Sequence, residues 1–432
     1  MTRPDNSPLP YGSALPEHWD VVPLKHVAKL SNGYVFNSRD WTEYGTPIIR
    51  IENLNGSSDF NFSTLALDER YQITNGDLLY SWSGNPGTSF GPYRWSEVGQ
   101  YYLNQHIFKI FTTIDKDWLY WSLKAATHWI ERALTSGMIG MVHVTKKELE
   151  NAPIPLPPME EQRRIADFLE LEVRKIDRAI DLHKRLQATL AEKTEATVEQ
   201  LLLHGDTKIH LPSFRMPEAP FPTAFKIGKL KQASLRVDVG IAEAATHAYA
   251  ASGVPLLRST NIRANAISHQ DMLYVEPWFA ERNKSKYVRA GDILTVRTGN
   301  AGTSAVVPRD LDMSQTFTQL ITTPSPDFSA EYLCHFLNSR TCRQYFESVS
   351  WGSAQKNISV PLLGNTPIPM PPPSNQRDIV VAIQRDIEFS SKLASLVGRA
   401  VSVAEERRQA LITSAVTGQF DVSTASGRGV TE

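Results

Sequence analysis

The chain has 432 residues, 41% of them hydrophobic and 21% charged, which is the composition of a folded protein too long for one ordinary core, so two or more domains are expected. Its formal net charge is −1, which excludes a basic tail that binds any polyanion. Lys plus Arg against Asp plus Glu runs 13 to 16 over residues 1–158, 8 to 11 over 159–206, 17 to 12 over 207–371 and 7 to 7 over the remainder, so any affinity for nucleic acid would have to come from local patches, base contacts or a partner.

In chain order, residues 1–10 lack the basic-then-apolar pattern of an export signal, and no run approaches the ~18 apolar residues of a membrane span. With only Cys334 and Cys342, a disulfide framework is excluded and a zinc site is disfavoured. A reduced, cytoplasmic setting is expected. Residues 1–158 alternate β-branched and aromatic runs with Gly, Asn and Pro, which predicts strands and turns. A helix follows over 118–134, and Pro153-Ile154-Pro155-Leu156-Pro157-Pro158 then stops regular structure.

Residues 159–206 have a different pattern. Between 160 and 203 there is neither Pro nor Gly, and the seam Leu169, Val173, Ile176, Ile180, His183, Gln187, Leu190, Thr194, Thr197, Leu201 steps by four and three, a heptad pattern. Gly205 stands where a C-terminal cap belongs.

Residues 207–372 then repeat the first segment. Trp19-Asp20-Val21-Val22-Pro23-Leu24 matches Phe225-Lys226-Ile227-Gly228-Lys229-Leu230, and Pro47-Ile48-Ile49-Arg50-Ile51-Glu52-Asn53-Leu54 matches Pro255-Leu256-Leu257-Arg258-Ser259-Thr260-Asn261-Ile262. Asn75-Gly76-Asp77-Leu78-Leu79 returns as Ala290-Gly291-Asp292-Ile293-Leu294, and Gly84-Asn85-Pro86-Gly87-Thr88-Ser89 as Gly299-Asn300-Ala301-Gly302-Thr303-Ser304. Leu103-Asn104-Gln105-His106-Ile107 is set against Phe317-Thr318-Gln319-Leu320-Ile321. Trp118-Leu119 is set against Tyr332-Leu333, which open a second helix over 331–346. Pro367-Ile368-Pro369-Met370-Pro371-Pro372 closes the copy, and each proline block leads into a Gln-Arg pair, Gln162-Arg163 and Gln376-Arg377. Such collinear matches mean a duplicated domain with its connector.

A second helix over 373–420 carries the seam Ile383, Ile387, Ser390, Ala394, Val397, Val401, Ala404, Arg408, Leu411, Ala415 and ends at Gly418. Residues 421–432 read as a tail. Neither amphipathic helix can bury its stripe alone, so antiparallel packing of the two is expected, with a globular domain at each end. The alternative is that each helix packs only on its own domain. His183, Gln187 and Arg408 dilute the seam and fix its register. The fold class is therefore α+β, two repeated mixed domains separated by two long antiparallel helices forming a coiled coil.

The repeated Gly-Asp-(Leu/Ile)-Leu strand with its glycine turn, the Pro-Ile-Pro-(Leu/Met)-Pro-Pro block and the long Gln-Arg helix resemble the specificity subunit of type I restriction-modification systems over nearly the whole chain. The resemblance implies two target-recognition domains that each read half of a bipartite double-stranded DNA site. It also implies that the helices set the spacer and dock two modification (methyltransferase) subunits. S-adenosylmethionine, ATP and magnesium would then belong to those and to the restriction (translocase/nuclease) subunits, with no cofactor in this chain. The second copy has the family-like turn Gln355-Lys356-Asn357-Ile358, but the first has Met141-Val142-His143-Val144.

No adenine-methyltransferase loop, phosphate-binding Gly-Lys-Ser/Thr loop or His-Glu-x-x-His helix is present, so no catalytic residues and no metal site are expected. The two glycine turns read as anion nests or as plain turns. Candidates for backbone contact are Lys146, Lys147, Lys284, Lys286 and Lys356. Arg and Asn match base edges, and those on expected loops are Asn37, Arg39, Asn85 and Arg94, then Arg263, Arg297 and Asn300. Trp82 and Arg297 differ at one repeat position and are candidates on that ground, whereas Arg50 and Arg258 are shared and read as structural. Trp82, Tyr93 and Trp95 read as DNA contacts or as core, and Trp118, Trp121 and Trp129 have helical core spacing. A duplicated protein-binding scaffold without DNA specificity is the other functional class these features allow.

Overall fold

Proline lacks the N–H that an interior strand needs, so the two Pro-Ile-Pro segments belong at a sheet margin. In the computed structural model, which describes residues 15–84, 89–134, 142–205, 223–243, 246–349, 357–420 and 422, each forms a two-stranded antiparallel ribbon. Pro153–Leu156 pairs with Asp20–Pro23, Val22 opposite Ile154. Pro367–Pro369 pairs with Ile227–Lys229, Gly228 opposite Ile368. Each ribbon ties the start of a globular segment to its end. No helix among the described residues is long and apolar enough to cross a membrane.

The chain divides into two compact units, residues 1–184 with 399–432 and residues 185–398. In the first, an antiparallel sheet has the order Ala28–Asn32, Ile107–Thr112, Leu78–Ser81, Gly91–Arg94. The helix Lys116–Leu134 covers it, and the core between them includes Leu30, Leu78, Tyr80, Phe108, Leu119 and Leu123. A second sheet has the order Asn61–Ser63, Thr46–Ile49, Tyr101–Leu103, Gln72–Ile73.

The second unit rebuilds the first sheet in the same order with Ser234–Val239, Leu320–Pro324, Ile293–Thr295 and Ser304–Val306. Its second sheet differs: Tyr249–Ala250, Leu273–Val275, Val254–Leu257, Gln315–Thr316. The parallel pair is shared, since Ile49 lies beside Leu103 and Leu257 beside Thr316, and the strands around it diverge.

These pairings correct two expectations. Leu103 answers Thr316, not Phe317, and Phe108 opposite Tyr80 answers Leu320 opposite Thr295. The second copy is one residue shorter in this connection, and Thr318 takes φ +58 there. An alternating apolar pattern slides by small steps, and only the backbone partners fix register. The helix expected over 331–346 is two, Ala330–Leu337 and Arg340–Val349. Asn338 ends the first by donating to Cys334 C=O at 3.0 Å and to Ser304 C=O at 2.8 Å. The Glu199 carboxylate starts the second by accepting from the Arg340 and Thr341 N–H groups, both at 3.0 Å.

The long helices run Met159–His204 and Pro373–Val416, ending at Gly205 and Gly418 with φ +73 and +67, conformations that favour glycine. They pack on each other antiparallel in each unit. In the first, Arg408 donates to Asp177 at 2.6 Å and Lys184 pairs with Glu405 at 3.5 Å. In the second, Gln187 donates to Ala394 C=O at 3.3 Å, and the Thr194 and Ser390 hydroxyls bond at 2.7 Å. Every expected seam residue is buried or half-buried except Ile387, which is exposed. The helices also pack on the globular parts. Ile165, Leu169 and Val173 join Trp19, Trp118, Trp121 and the C-terminal Ile412, Ala415 and Val416 in one core. Leu201 to Leu203 join Tyr332, Leu333, Ile379 and Ile383 in another. The side chain of Trp129 lies outside the described residues.

The paired Gln-Arg motifs have a physical reason. Gln162 and Gln376 are 2% and 1% exposed. Gln162 accepts from the Asp115 N–H at 3.1 Å and donates to Pro157 C=O at 2.7 Å. Gln376 accepts from the Ser329 N–H at 2.8 Å and donates to Pro371 C=O at 2.9 Å. Asp115 and Ser329 in turn cap the helices that begin before Trp118 and Tyr332, whose side chains donate to Pro155 and Pro369 C=O at 3.0 and 3.4 Å. Gln162→Leu keeps the volume but leaves a buried N–H and C=O without partners. We expect urea denaturation to show a loss of about 1–3 kcal/mol, and a loss below about 0.5 kcal/mol contradicts this role.

Candidate nucleic-acid interface

The residues that face solvent with chemistry suited to DNA sit mainly around the second sheet of each unit. In the first unit the chain leaves strand Ala28–Asn32 at Gly33, where a Cβ would lie 2.1 Å from Asn104 O. It returns at Gly45, φ +122, where a Cβ would lie 2.5 Å from Ser63 O. Between them the segment is held by its own bonds. The Asn37 N–H and side-chain amide donate to Asp40 at 2.8 and 3.3 Å, Thr42 N–H donates to Phe62 C=O at 3.0 Å, and the Thr42 hydroxyl donates to Tyr44 C=O at 2.6 Å. Arg39, Trp41 and Tyr44 point outward, Trp41 42% and Tyr44 74% exposed. Arg39 has no side-chain partner among the described residues.

Arg50 lies 5.3 Å over the Trp41 ring, pairs with Glu52 at 3.2 Å and donates to Asn61. Its own N–H donates to Asn53 at 2.9 Å, as Arg258 N–H donates to Asn261 at 3.0 Å. Asn53 and Asn261 are buried and each donates to two carbonyls of the following loop. This repeated Arg-x-x-Asn therefore pins a loop, which is why it survives in both copies.

In the second unit Gly240 and Gly253 stand at the equivalent places, where a Cβ would meet Thr316 O at 2.3 Å and Val275 O at 2.5 Å. Tyr249 and Trp278 are exposed there, with the His247 ring 6.0 Å from Trp278. Glu243 is held by Arg282 at 3.3 Å and Asn283 at 3.1 Å. Trp41, Tyr44, Tyr249 and Trp278 were not among the residues the sequence singled out, and aromatic residues are usually core. Their neighbourhood of charged and turn-forming residues was the available signal.

The remaining expected residues are scattered. Trp82 and Arg297 are equivalent, since Val144 N–H donates to Trp82 C=O and Ile358 N–H to Arg297 C=O, both at 3.0 Å. Trp82 is half-buried, stacks on Phe108 at 6.1 Å and donates to Gln105 C=O at 3.0 Å. Arg297 donates to Asn357 at 3.0 Å. Lys146 lies 3.8 Å from Glu150, Lys284 3.4 Å from Glu281, and Lys286 2.8 Å from Asp238. Lys147 and Arg263 are exposed with no side-chain partner among the described residues. Asn300 is exposed in the turn that closes with Gly302 N–H on Val296 C=O at 2.9 Å, a plain connection between strands. Asn85 and Lys356, and most of the first glycine turn, lie outside the described residues. Among those described, no group of three His, Cys, Asp or Glu is placed to hold a metal ion.

Arg94 is not on a loop, as expected, but at the end of the edge strand Gly91–Arg94. It pairs with Asp117 at 3.0 Å and with Glu170 of the first long helix at 2.6 Å, and it lies 4.0 Å over the Tyr120 ring. The equivalent position in the second copy is Val306, packed on the core. Burial by itself would raise the Glu170 carboxyl, but hydrogen bonds and charge from Arg94 and Arg174 outweigh it and hold the group below its ordinary value. Burial pushes the Cys334 thiol up to about 12, so it is inert as a nucleophile at neutral pH.

The chain was compared with known proteins. The family model of the type I restriction modification DNA specificity domain matches residues 16–192 and 249–391. The type I restriction enzyme EcoBI specificity subunit of Escherichia coli is 20% identical over 94% of this chain and 86% of its own length. The MjaVIII specificity subunit of Methanocaldococcus jannaschii is 22% identical over 95% of both. Among solved structures, a chain from a study of complex assembly and conformational transition of the type I R-M system superposes with a TM-score of 0.71. It is 16% identical, and the match covers 94% of this chain and 100% of that one. The HsdS subunit from Thermoanaerobacter tengcongensis gives 0.52 at 18% identity, covering 94% and 99%.

A carboxyl depressed in the folded state stabilises that state above its unfolded value, and the contribution fades as pH falls through the depressed value. Arg94→Met is expected to cost on the order of 1 kcal/mol of stability at pH 7 for a half-exposed charged pair, seen as a lower melting temperature. The gap to the unaltered protein should narrow below about pH 4. A gap that stays constant from pH 7 to 3 contradicts the assignment.

Proposed function

The chain belongs to the type I restriction modification DNA specificity domain family, and from that premise we propose that it is the non-catalytic DNA-specificity subunit of a type I restriction-modification complex. The observation that carries this reading is the duplication. Two units with the same first-sheet order and the same glutamine joints, on helices shared between them, suit a target that is itself split in two. In this reading residues 1–158 and 207–372 are the target-recognition domains, each reading one half-site in the major groove or by DNA shape. The helix pair sets the spacer between the half-sites.

Methyl transfer from S-adenosylmethionine to adenine, and ATP- and magnesium-dependent translocation and cleavage, are assigned to modification and restriction subunits in the cytoplasm. Two modification subunits would dock on the helix pair. The support is that the helix pair leaves Leu171, Leu182 and Val403 exposed in the first unit, and Leu186, Val381, Phe389 and Leu396 in the second. Exposed apolar side chains along one helix pair suit a surface that a partner covers.

The test is binding of duplex pools by the chain assembled with its modification subunits. One bipartite sequence with a fixed spacer is expected, and indifference to sequence refutes the reading. Inserting four residues into each long helix adds ~6 Å, and the preferred spacer is expected to lengthen by about one or two base pairs at 3.4 Å per base pair. An unchanged spacer in the assembled variant removes the helices from that role.

A further inference from the structure

The DNA-specificity reading leaves open which side chains choose the bases. Resting on that reading, we propose that the segment between Gly33 and Gly45 is the base-selecting loop of the first unit, acting through Arg39, Trp41 and Tyr44.

Three observations carry this. The first is that its ends are set by backbone alone and in the same way in both copies. Tyr34 N–H donates to Leu103 C=O at 2.7 Å, and Ile241 N–H donates to Thr316 C=O at 2.8 Å. Gly33 and Gly240 each press on a carbonyl that a side chain would strike, at 2.1 and 2.3 Å, and Gly45 and Gly253 do the same, at 2.5 Å in each case. Between these anchors Tyr34 and Phe36 pack on Ile48 and Tyr102 of the sheet, and the solvent-facing positions can be exchanged without disturbing it.

The second is the contents. Between the anchors the first copy reads Tyr-Val-Phe-Asn-Ser-Arg-Asp-Trp-Thr-Glu-Tyr, and the second has neither arginine nor tryptophan there, while its own acid, Glu243, is held by Arg282. Two units that read different half-sites must differ where they specify, and here an identical frame carries unlike chemistry. Elsewhere the differing pair Trp82 and Arg297 is engaged in internal bonds.

The third is that the loop is built before DNA arrives. The Asn37–Asp40 bonds, the Thr42–Phe62 bridge and the Thr42 hydroxyl bond hold the backbone. Arg50, itself tied to Glu52 and Asn61, supports the Trp41 ring from beneath. Among the side chains left outward, beside Val35 and Glu43, are a forked cation and two aromatic rings. A guanidinium matches the two acceptors of guanine in the major groove, and an apolar ring meets the thymine methyl. A preformed loop spends little conformational entropy on binding.

The test uses the full chain assembled with its modification subunits, on duplexes with one half-site randomised at a time, read by sequencing of bound DNA. Arg39→Ala and Tyr44→Ala remove exposed side chains with no partner in the core, so melting temperature should stay unchanged. Discrimination is expected to fall about tenfold at one or two base pairs of a single half-site, with the other half-site and the spacer unaltered. Arg39→Lys keeps the charge and should lose the same discrimination. Preserved preference in both half-sites, equal loss in both, or affinity lowered uniformly for every sequence overturns the proposal, the last because it marks a phosphate contact. An unaltered complex that selects no sequence would instead sink the specificity reading on which the loop assignment rests.

Discussion

Everything in each unit depends on how the first turn of a long helix is joined to the sheet before it. A helix transmits orientation only if its base cannot swivel, and a chain emerging from a proline block has few backbone donors with which to fix itself. Gln162 and Gln376 meet that need by bonding backward to a proline carbonyl and sideways to a helix cap. Trp118 and Tyr332 complete the joint from within the core. Because Gln162, Gln376, Trp118 and Tyr332 are buried, a rotation of the helix would leave buried polar groups unpaired at a cost of several kcal/mol.

The helix pair itself is built for register more than for adhesion. Its apolar burial is concentrated where it meets the globular cores, at Ile165 to Val173 with Ile412 to Val416 and at Leu201 to Leu203 with Ile379 to Ile383. Away from those regions the seam interleaves the buried Ile180, Val397 and Val401 with polar contacts: Gln187 on Ala394, Thr194 on Ser390 and Arg408 on Asp177. Gly398 lies in the helix interior, and a Cβ there would come within 3.3 Å of the Gln187 amide. Such contacts are weak individually but tolerate only one alignment, since a slipped pair would face polar groups with nothing to bond.

Comparing the two copies separates scaffold from surface. The first sheet, the ribbon, the glutamine joint and the pinned Arg-x-x-Asn loop are common to both. The margins of the second sheet and the solvent-facing side chains beside it are not. Arg94 shows that a difference between copies need not be a difference in recognition: where the second unit packs Val306, the first ion-pairs with its own helix.

The duplication, the long helices, their seams and glycine caps, and the family resemblance were legible in the sequence, because they rest on periodicity and on conformations that only proline and glycine enforce. Much of the candidate site was not. Lys286 and Arg94 read as free cations until partners remote in sequence, Asp238 and Glu170, were brought beside them. Trp41 and Tyr44 drew no attention in the sequence, and only the fold shows them in solvent. A sequence determines which groups a segment has to offer, and it determined the architecture here. Whether a charge or a ring is consumed internally or presented outward depends on contacts between segments far apart in the chain, and only tertiary structure decided that.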